Sequence, residues 1–233
     1  MTRYTTATEP EGEYEPGSEG RVLKNLLGIK SEVVMNKTEA EALNAIQQRY
    51  YTDGVITEAT QITAAIIRQM HKDWLGGIYE WASYYRTVEM SKGGFAFPPA
   101  YLIEQNMATL ESDLLAKLTP CRTNSISMVS LAVARVHADF LLIHPFREGN
   151  GRIARWVANL MFAQAGLIMP DYDFGGRESK QLSDDYLQAV IKGYGQDYSD
   201  LACFFERALE RGLAAARNFD KARGEAPSNT EES

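Results

Sequence analysis

Apolar residues recur along most of the chain with the spacing of three or four residues that is typical of amphipathic helices. The segment 127–143 is apolar almost throughout, and a helix of that kind is normally buried in a protein core. Thr38 and Glu41 form a capping-box pattern that predicts a helix start at this point. Further helices are predicted over 58–81, 100–117, 152–165, 181–193 and 198–218. The pattern predicts an all-α protein.

One segment departs from the helical spacing. Over residues 86–97 the apolar side chains alternate on either side of a glycine pair, as strands joined by a tight turn do. The residues of this predicted β-hairpin turn are Lys92, Gly93, Gly94 and Phe95. Two prolines at 98 and 99 end the hairpin.

The charge and composition of the chain exclude some classes of function. The formal net charge of −7 argues against a general binder of nucleic acid or anionic membranes. Residues 1–20 and 219–233 are rich in Gly, Pro and Glu and offer little to bury, so we expect both segments to be disordered tails. The 21–218 region is then expected to form one domain, which is large enough for a single core.

Two cysteines, Cys121 and Cys203, are too few for a disulfide framework or a four-cysteine zinc site. The N-terminus lacks the apolar stretch of a secretory signal, and no run approaches a membrane span in length. We expect a cytoplasmic protein without membrane contact. Translocation into a host cell by a route that needs no cleavable signal stays open.

The informative segment is the run HPFREGNGRIAR over residues 144–155, between two predicted helices. Glycines on both sides of Asn150 allow positive φ and close backbone approach. Successive amides in such a turn, together with the N-terminus of the next helix, can form an anion cradle. Arg152 and Arg155 lie on one face of the first helical turn, where guanidinium groups suit phosphate oxygens.

Two more side chains add chemistry to this cradle. Glu148 is a hard carboxylate, the kind of ligand that holds Mg²⁺ together with phosphates and water. His144 in its neutral form can accept a hydroxyl proton near pH 7. A base, a metal ligand, an anion cradle and two arginines are sufficient for transferring part of a nucleotide to a hydroxyl. We expect the other two histidines, His71 and His137, to be core residues, and Arg147 to face solvent.

This segment resembles the signature of the Fic (filamentation induced by cAMP) family, His-Pro-Phe-x-(Asp/Glu)-Gly-Asn-Gly-Arg-x-x-Arg, and fills every specified position. Residues 22–29, the run IYEWA at 78–82 and the glycine turn at 92–95 are also similar to family segments. The resemblance covers roughly residues 20–215. It implies a Fic-fold helical domain with a short β-hairpin flap next to the active site.

The resemblance implies transfer of AMP from ATP to a Ser, Thr or Tyr hydroxyl of a target protein. His144 would be the general base, and Glu148 would hold Mg²⁺. The residues that would cradle or clamp the phosphates are Gly149, Asn150, Gly151, Arg152 and Arg155. The flap at 92–95 would hold an extended target segment by strand addition. Tyr186, Asp197 and Tyr198 lie where relatives hold adenine, so the first of these is expected to bind the nucleotide.

Alternatives stay open at this point. The transferred group could be UMP, GMP or phosphate, or the chain could be an inactive nucleotide-binding interaction module. Many family members are restrained by a Ser/Thr-x-x-x-Glu-Gly/Asn helix, a pattern that this chain lacks. We therefore hypothesise a toxin or effector that is restrained by a separate antitoxin-like protein, whose Glu would reach Arg155.

Overall fold

The computed structural model describes residues 5–6, 10–123, 125–174 and 179–223 of the chain. Its architecture is helical, with a small antiparallel sheet, as the sequence predicts. The helices are α1 (Glu32–Thr52), α2 (Ala64–Leu75), α3 (Ile103–Leu110), α4 (Ala116–Leu118), α5 (Ile126–Ile143), α6 (Asn150–Gln164), α7 (Ser179–Tyr194) and α8 (Ser199–Arg223). A π-helical turn, Glu111–Leu115, joins α3 to α4 without a break in the helical backbone, so the helix predicted over 100–117 is present with a π-helical turn inside it.

Helix α5 is the centre of the fold. It packs against α3, α6, α7 and α8, which explains why its sequence is apolar on almost every face. Within the described residues it is the one helix with the length and hydropathy to cross a membrane, yet 56% of it is buried inside the protein. Its N-terminus is capped by Ser125, and it ends where His144 adopts a left-handed backbone conformation.

Helix α1 begins earlier than the sequence predicts. The capping residue is Ser31, whose hydroxyl accepts a hydrogen bond from the amide of Val34. Thr38 lies inside the helix and donates its hydroxyl to the carbonyl of Val34, so the prediction of a cap at Thr38 is wrong. A hydroxyl within a helix commonly bonds back to the preceding turn in this way. The earlier start extends α1 by almost two turns toward the 144–155 segment.

The predicted hairpin is confirmed. Strands β2 (Met90–Lys92) and β3 (Phe95–Ala96) pair antiparallel around a turn at Gly93 and Gly94, both of which have positive φ. A third strand, β1 (Thr5–Thr6), pairs with the other edge of β2, with Thr5 opposite Ser91. The flap is therefore the centre and one edge of a three-stranded sheet.

Residues 1–20 are expected to be disordered, whereas the described part of this segment from residue 10 packs on the helices. Ser18 and Val22 are buried, and Tyr14 forms a β-bridge with Leu23. Polar side chains make this possible, because Glu15 accepts hydrogen bonds from the backbone and side chain of Asn25. The second expected tail lies outside the described residues from 224 onward, and α8 extends through 219–223.

Candidate active site

The loop between α5 and α6 is held in shape by its own asparagine. The side chain of Asn150 accepts a hydrogen bond from the amide of Phe146 (2.9 Å) and donates one to the carbonyl of the same residue (2.7 Å). Asn150 is fully buried. Its side chain thus closes the turn from within, and its contribution to an anion site is limited to the backbone amide at the start of α6.

Gly149 occupies a position that no larger residue fits. Its φ of +85° lies in the left-handed region, and a Cβ there would lie 2.7 Å from the Trp74 ring. The same Trp74 ring also lies under the guanidinium of Arg152, 4.5 Å from its centroid. The Trp74 indole therefore packs closely against the Gly149 turn and also stacks on the Arg152 guanidinium.

His144 is buried at the end of α5. Its Nδ1 lies 3.1 Å from the carbonyl oxygen of Leu141. A carbonyl only accepts, so Nδ1 carries the proton of the neutral ring and Nε2 is the basic nitrogen. Burial is the main cause that lowers the pKa of His144 to about 3, and the nearby Arg86 charge lowers it further. The imidazole is neutral at pH 7.

One cavity of about 450 Å³ is lined by four of the five predicted phosphate-binding residues, all except the buried Asn150. Its lining residues are Asn36, Lys92, Glu148, Gly149, Gly151, Arg152 and Arg155. Helix α6 begins beside this cavity, so its first backbone amides and the positive end of its dipole face the cavity. The cavity has three cationic side chains and one carboxylate, which is a suitable environment for a polyphosphate with a divalent cation.

Arg152 has a partner that the sequence did not indicate. Its Nη2 lies 2.7 Å from Oε2 of Glu39 on α1 and 3.6 Å from Oε1 of Glu148. Glu39 is buried, accepts a hydrogen bond from the Tyr79 hydroxyl (2.6 Å) and is fixed through its carbonyl by the Trp74 indole (2.9 Å). Arg152 is therefore held by a carboxylate pair before any ligand arrives.

Arg155 is tied to the interior by a chain of polar groups. Its guanidinium is close enough to the Tyr186 hydroxyl for its charge to counter the rise that burial causes in the pKa of that hydroxyl, which lies 2.6 Å from Nε2 of His137. The Arg155 guanidinium also lies 5.4 Å from the centroid of the Phe174 ring. Burial lowers the pKa of His137 to about 3, so the histidine is neutral. Tyr186 is thus in contact with a predicted phosphate-binding arginine, and its role in binding a base stays a prediction.

The other two residues expected near adenine, Asp197 and Tyr198, do not line the phosphate cavity, and their role in binding a base stays a prediction. Tyr198 donates its hydroxyl to Asp139 (2.9 Å), and Asp197 accepts from the hydroxyl and amide of Ser199. Tyr198 and Asp139 line a separate open groove together with Pro98 and Arg135. This groove does not include any of the residues that line the phosphate cavity.

His71 supports the site although its sequence context gave no indication of this. Its Nδ1 accepts a hydrogen bond from the amide of Ser83 (2.9 Å), which leaves Nε2 to donate to the carbonyl of Glu148 (3.1 Å). Its ring stacks on Phe146 at 3.9 Å between centroids. His71 is therefore a buried core residue, as predicted, but it also contacts the 144–155 loop, which was not predicted.

Arg147 was expected to face solvent, and that prediction is wrong. The side chain is 2% exposed, and its Nε donates to the carbonyl of Glu11 (2.9 Å). The carboxylate of Glu11 in turn accepts from the amide of Thr87, just before the flap. The N-terminal loop thus covers this arginine and links the motif to the base of the flap.

The residues present fit a magnesium ion that arrives with a nucleotide. Within the described ranges no group of three or more His, Cys, Asp or Glu side chains could form a metal site by itself. Glu148 supplies one carboxylate in the phosphate cavity. One or two carboxylates plus substrate phosphates and waters is the usual way in which Mg²⁺ is bound.

Comparison with known proteins agrees with this geometry. The Fic/DOC family model matches residues 61–162, which include the flap, α5 and the whole 144–155 motif. This part of the chain, residues 61–162, is therefore similar to the Fic/DOC family.

Two relatives illustrate the similarity in sequence. A probable protein adenylyltransferase of Sinorhizobium fredii, y4lH, is 27% identical over 90% of this chain and 100% of its own length. The protein adenylyltransferase VbhT of Bartonella schoenbuchensis is 29% identical over 82% of this chain but only 40% of its own length. The match is therefore end to end for the first protein and confined to one part of the second.

Solved structures show the same fold. The BepC protein of Bartonella tribocorum, crystallised with bound AMPPNP, superposes with a TM-score of 0.64 at 20% identity, covering 80% of this chain and 91% of that one. The Fic domain of a Bep effector from Bartonella sp. AR 15-3 superposes with a TM-score of 0.67 at 19% identity, covering 83% and 88%.

Proposed function

We propose that this protein is a protein adenylyltransferase, which transfers AMP from ATP to a hydroxyl group of a target protein. The observation that carries the proposal is the position of His144, a buried neutral imidazole six residues before the amides that open α6. A base and a polyphosphate cradle on one loop suit attack on the innermost phosphorus of a nucleotide. The names of the sequence relatives support the same activity.

In the proposed reaction the hydroxyl oxygen of the target attacks the α-phosphorus of ATP. Nε2 of His144 accepts the hydroxyl proton, the new P–O bond forms, and the bond from the α-phosphorus to the bridging oxygen breaks. Pyrophosphate leaves with both electrons of that bond. Arg152, Arg155 and the first amides of α6 hold its negative charge, and positioning of this kind supplies most of the rate in phosphate transfer.

Nucleotide binding should make His144 a better base. The imidazole has a pKa of about 3, which makes it neutral but only weakly basic. Negative charge on a bound triphosphate favours the protonated imidazole and raises its pKa. Glu148 would hold the Mg²⁺ ion, which when bound neutralises part of the phosphate charge.

The target is proposed to bind at the flap. In the described part of the chain, the β2 edge is paired with the protein's own Thr5–Thr6, and β3 forms the opposite edge of the sheet. Phe95 on β3 is 41% exposed and contacts Tyr194. An extended target segment that adds to the β3 edge would complete a fourth strand beside the active site.

Restraint by a separate antitoxin-like protein is also a proposal. Ser31 and Asn36 have the spacing of the restraint pattern, but Met35 stands in the place of its glutamate. Asn36 lines the phosphate cavity, so the start of α1 lies where such a glutamate would act. A glutamate of a separate protein, placed near Arg155, would supply the negative charge that Met35 cannot. We further propose that the protein acts in the cytoplasm, of its own cell or of a host.

Isotope labelling tests the activity and separates it from the alternatives. The full chain is incubated with Mg²⁺, a bacterial lysate and ATP labelled with ³²P at either the α or the γ position. We expect label on protein from α-labelled ATP only. Label from the γ position alone would indicate a kinase, and labelling only from UTP or GTP would identify another nucleotide. Nucleotide binding without any transfer would indicate an interaction module.

A further inference from the structure

Arg86 is a fully buried arginine at the junction of the flap and the catalytic loop. Its guanidinium donates three hydrogen bonds to backbone carbonyls: Nε to His144 (2.8 Å), Nη1 to Val88 (2.7 Å) and Nη2 to Pro98 (2.7 Å). Its own amide donates to the carbonyl of Pro145 (2.8 Å). No carboxylate within salt-bridge distance accounts for its position among the described residues.

The three acceptors lie at the two ends of the flap hairpin and at the end of α5. Val88 precedes β2 and Pro98 follows β3, so two of the bonds hold both ends of the hairpin. The third holds the carbonyl of His144, whose φ of 51° and ψ of 58° are left-handed. This conformation costs a residue other than glycine about 1 kcal/mol and persists only where neighbouring groups impose it.

The chemistry of the guanidinium explains why arginine fits here. A planar fork can donate in three directions at once, whereas an ammonium group on a flexible chain offers no fixed geometry. Burial lowers the pKa of Arg86, but an arginine remains protonated at neutral pH. Hydrogen bonds from a charged donor are about twice as strong as neutral ones, which offsets the cost of burying the charge.

We propose that Arg86 is a positioning residue that locks the flap and the catalytic imidazole into one rigid unit. The proposal rests on the proposed function, because it assigns Arg86 to the placement of the base used there. Any movement of the flap on target binding is then transmitted to His144 through this guanidinium. The residue touches no reacting atom itself.

Histidine NMR tests the placement without requiring activity. The chain has three histidines, so the ring signals of His71, His137 and His144 can be assigned by single substitutions. In Arg86→Lys we expect a shift in the ring signals and pKa of His144, with those of the other two unchanged. Arg68→Lys is the matched control, because Arg68 also donates to a backbone carbonyl, that of Ser83 (2.9 Å). Ser83 donates to His71, so we expect this control to shift the signals of His71 and to leave those of His144 unchanged.

Kinetics provide the second readout, with α-labelled ATP and a fixed amount of bacterial lysate protein as the acceptor. We expect Arg86→Lys to lower kcat by about ten- to a hundredfold while KM for ATP changes less than about twofold, since misplacing a base costs rate rather than nucleotide affinity. Millimolar guanidinium should restore both the His144 signal and the rate in Arg86→Ala.

Three results would overturn the proposal: an unshifted His144 signal in Arg86→Lys, equal shifts at all three histidines, or no recovery in Arg86→Ala with guanidinium. Equal shifts would mean that Arg86 merely supports the fold. If the wild-type protein transfers no nucleotide, the proposed function fails instead, and the NMR result still decides whether Arg86 places the imidazole.

Discussion

The ring of Phe97 lies flat against the imidazole of His144, with centroids 3.8 Å apart and an angle of 17° between the planes. Phe97 directly follows the flap strand β3, and both residues are buried. Phe97 therefore covers the base and shields it from solvent. A hydroxyl that approaches Nε2 has to share this space with the phenyl ring, so target binding and exposure of the base are coupled.

Replacing Phe97 by alanine should make His144 more basic. Burial is the largest cause of its low pKa, so removing the ring that covers it moves the pKa upward from about 3 toward the ordinary 6.5. Titration of the histidine NMR signals measures this directly. Phe95→Ala is the control on the same flap, because Phe95 contacts Tyr194 and Phe97 rather than His144. Equal His144 pKa values in wild type and Phe97→Ala would refute the coupling.

Gly149→Ala should lower both stability and ATP affinity. The substitution forces alanine into a left-handed φ of +85° and drives its Cβ to within 2.7 Å of Trp74. Strain and overpacking together should lower the free energy of unfolding by about 2–4 kcal/mol. Displacement of Trp74 would also shift Arg152, which rests on it. Urea unfolding and equilibrium ATP binding measure the two effects.

Gly151→Ala is the matched control for this substitution. Its Cβ would meet only Nη1 of Arg155, at an ordinary 3.6 Å, and alanine favours helix by about 1 kcal/mol over glycine. We expect unchanged or increased stability in this variant. If Gly149→Ala were as stable as Gly151→Ala, the account of the Gly149 turn would be wrong.

Glu39→Gln should destabilise the protein without activating it. The amide keeps an acceptor for Tyr79 but removes the charge that faces Arg152 at 2.7 Å, which should lower the free energy of unfolding by about 1–3 kcal/mol. We expect transfer activity equal to or below that of wild type, because Glu39 places the arginine rather than blocking the cavity.

Glu41→Gln is the control for Glu39→Gln, since the Glu41 side chain is 68% exposed on the same helix and faces Lys37 at 3.7 Å. Its stability and activity should match wild type. A several-fold rise in transfer by Glu39→Gln, from an otherwise inert protein, would reveal an internal restraint and would contradict the proposal of a separate inhibitor.

The protein should lose stability as the pH falls below 6.5. Burial lowers the pKa of His71 to about 4 and those of His137 and His144 to about 3. The unfolded chain therefore binds more protons than the folded one between pH 6.5 and these values, so acid favours unfolding. Each histidine contributes up to about 1.4 kcal/mol per pH unit in that window.

Urea midpoints at pH 7.5, 6 and 5 measure this dependence. We expect a steady fall, and a flatter dependence in His137→Phe, which has one buried imidazole fewer. The variant should be less stable at pH 7.5, since it leaves Tyr186 without its partner. A midpoint that is constant from pH 7.5 to pH 5 would exclude three buried neutral histidines.

Features encoded by neighbouring residues were predictable from the sequence. The apolar run of α5, the glycine turn of the flap and the spacing of the 144–155 motif are all local patterns, and the structure has each of them. The helical fold with a β-hairpin is confirmed for this reason. The N-cap of α1 was predicted at the wrong residue because Ser31 and Thr38 both carry a hydroxyl that can cap a helix. Only the tertiary fold decides which of the two does so.

Contacts between distant residues were not predictable. Glu39 lies 113 positions before Arg152, and Glu11 lies 136 positions before Arg147, so no periodicity joins them. Arg147 was expected in solvent because an isolated arginine usually is, but the N-terminal loop supplies a carbonyl and covers it. The roles of Arg86 and Phe97 likewise depend on where the flap folds back onto α5.

The most direct test of the central claim is intact-protein mass spectrometry of targets after incubation with Mg²⁺ and ATP. Lysate proteins treated with the wild-type chain should gain the mass of one adenylyl group, which is AMP less one water, and fragmentation should place it on a Ser, Thr or Tyr. Those treated with His144→Ala should gain none, although the variant still binds ATP because it loses no phosphate contact. An equal gain with His144→Ala would contradict the assignment of the base, and no AMP adduct with the wild-type chain would contradict adenylyl transfer itself.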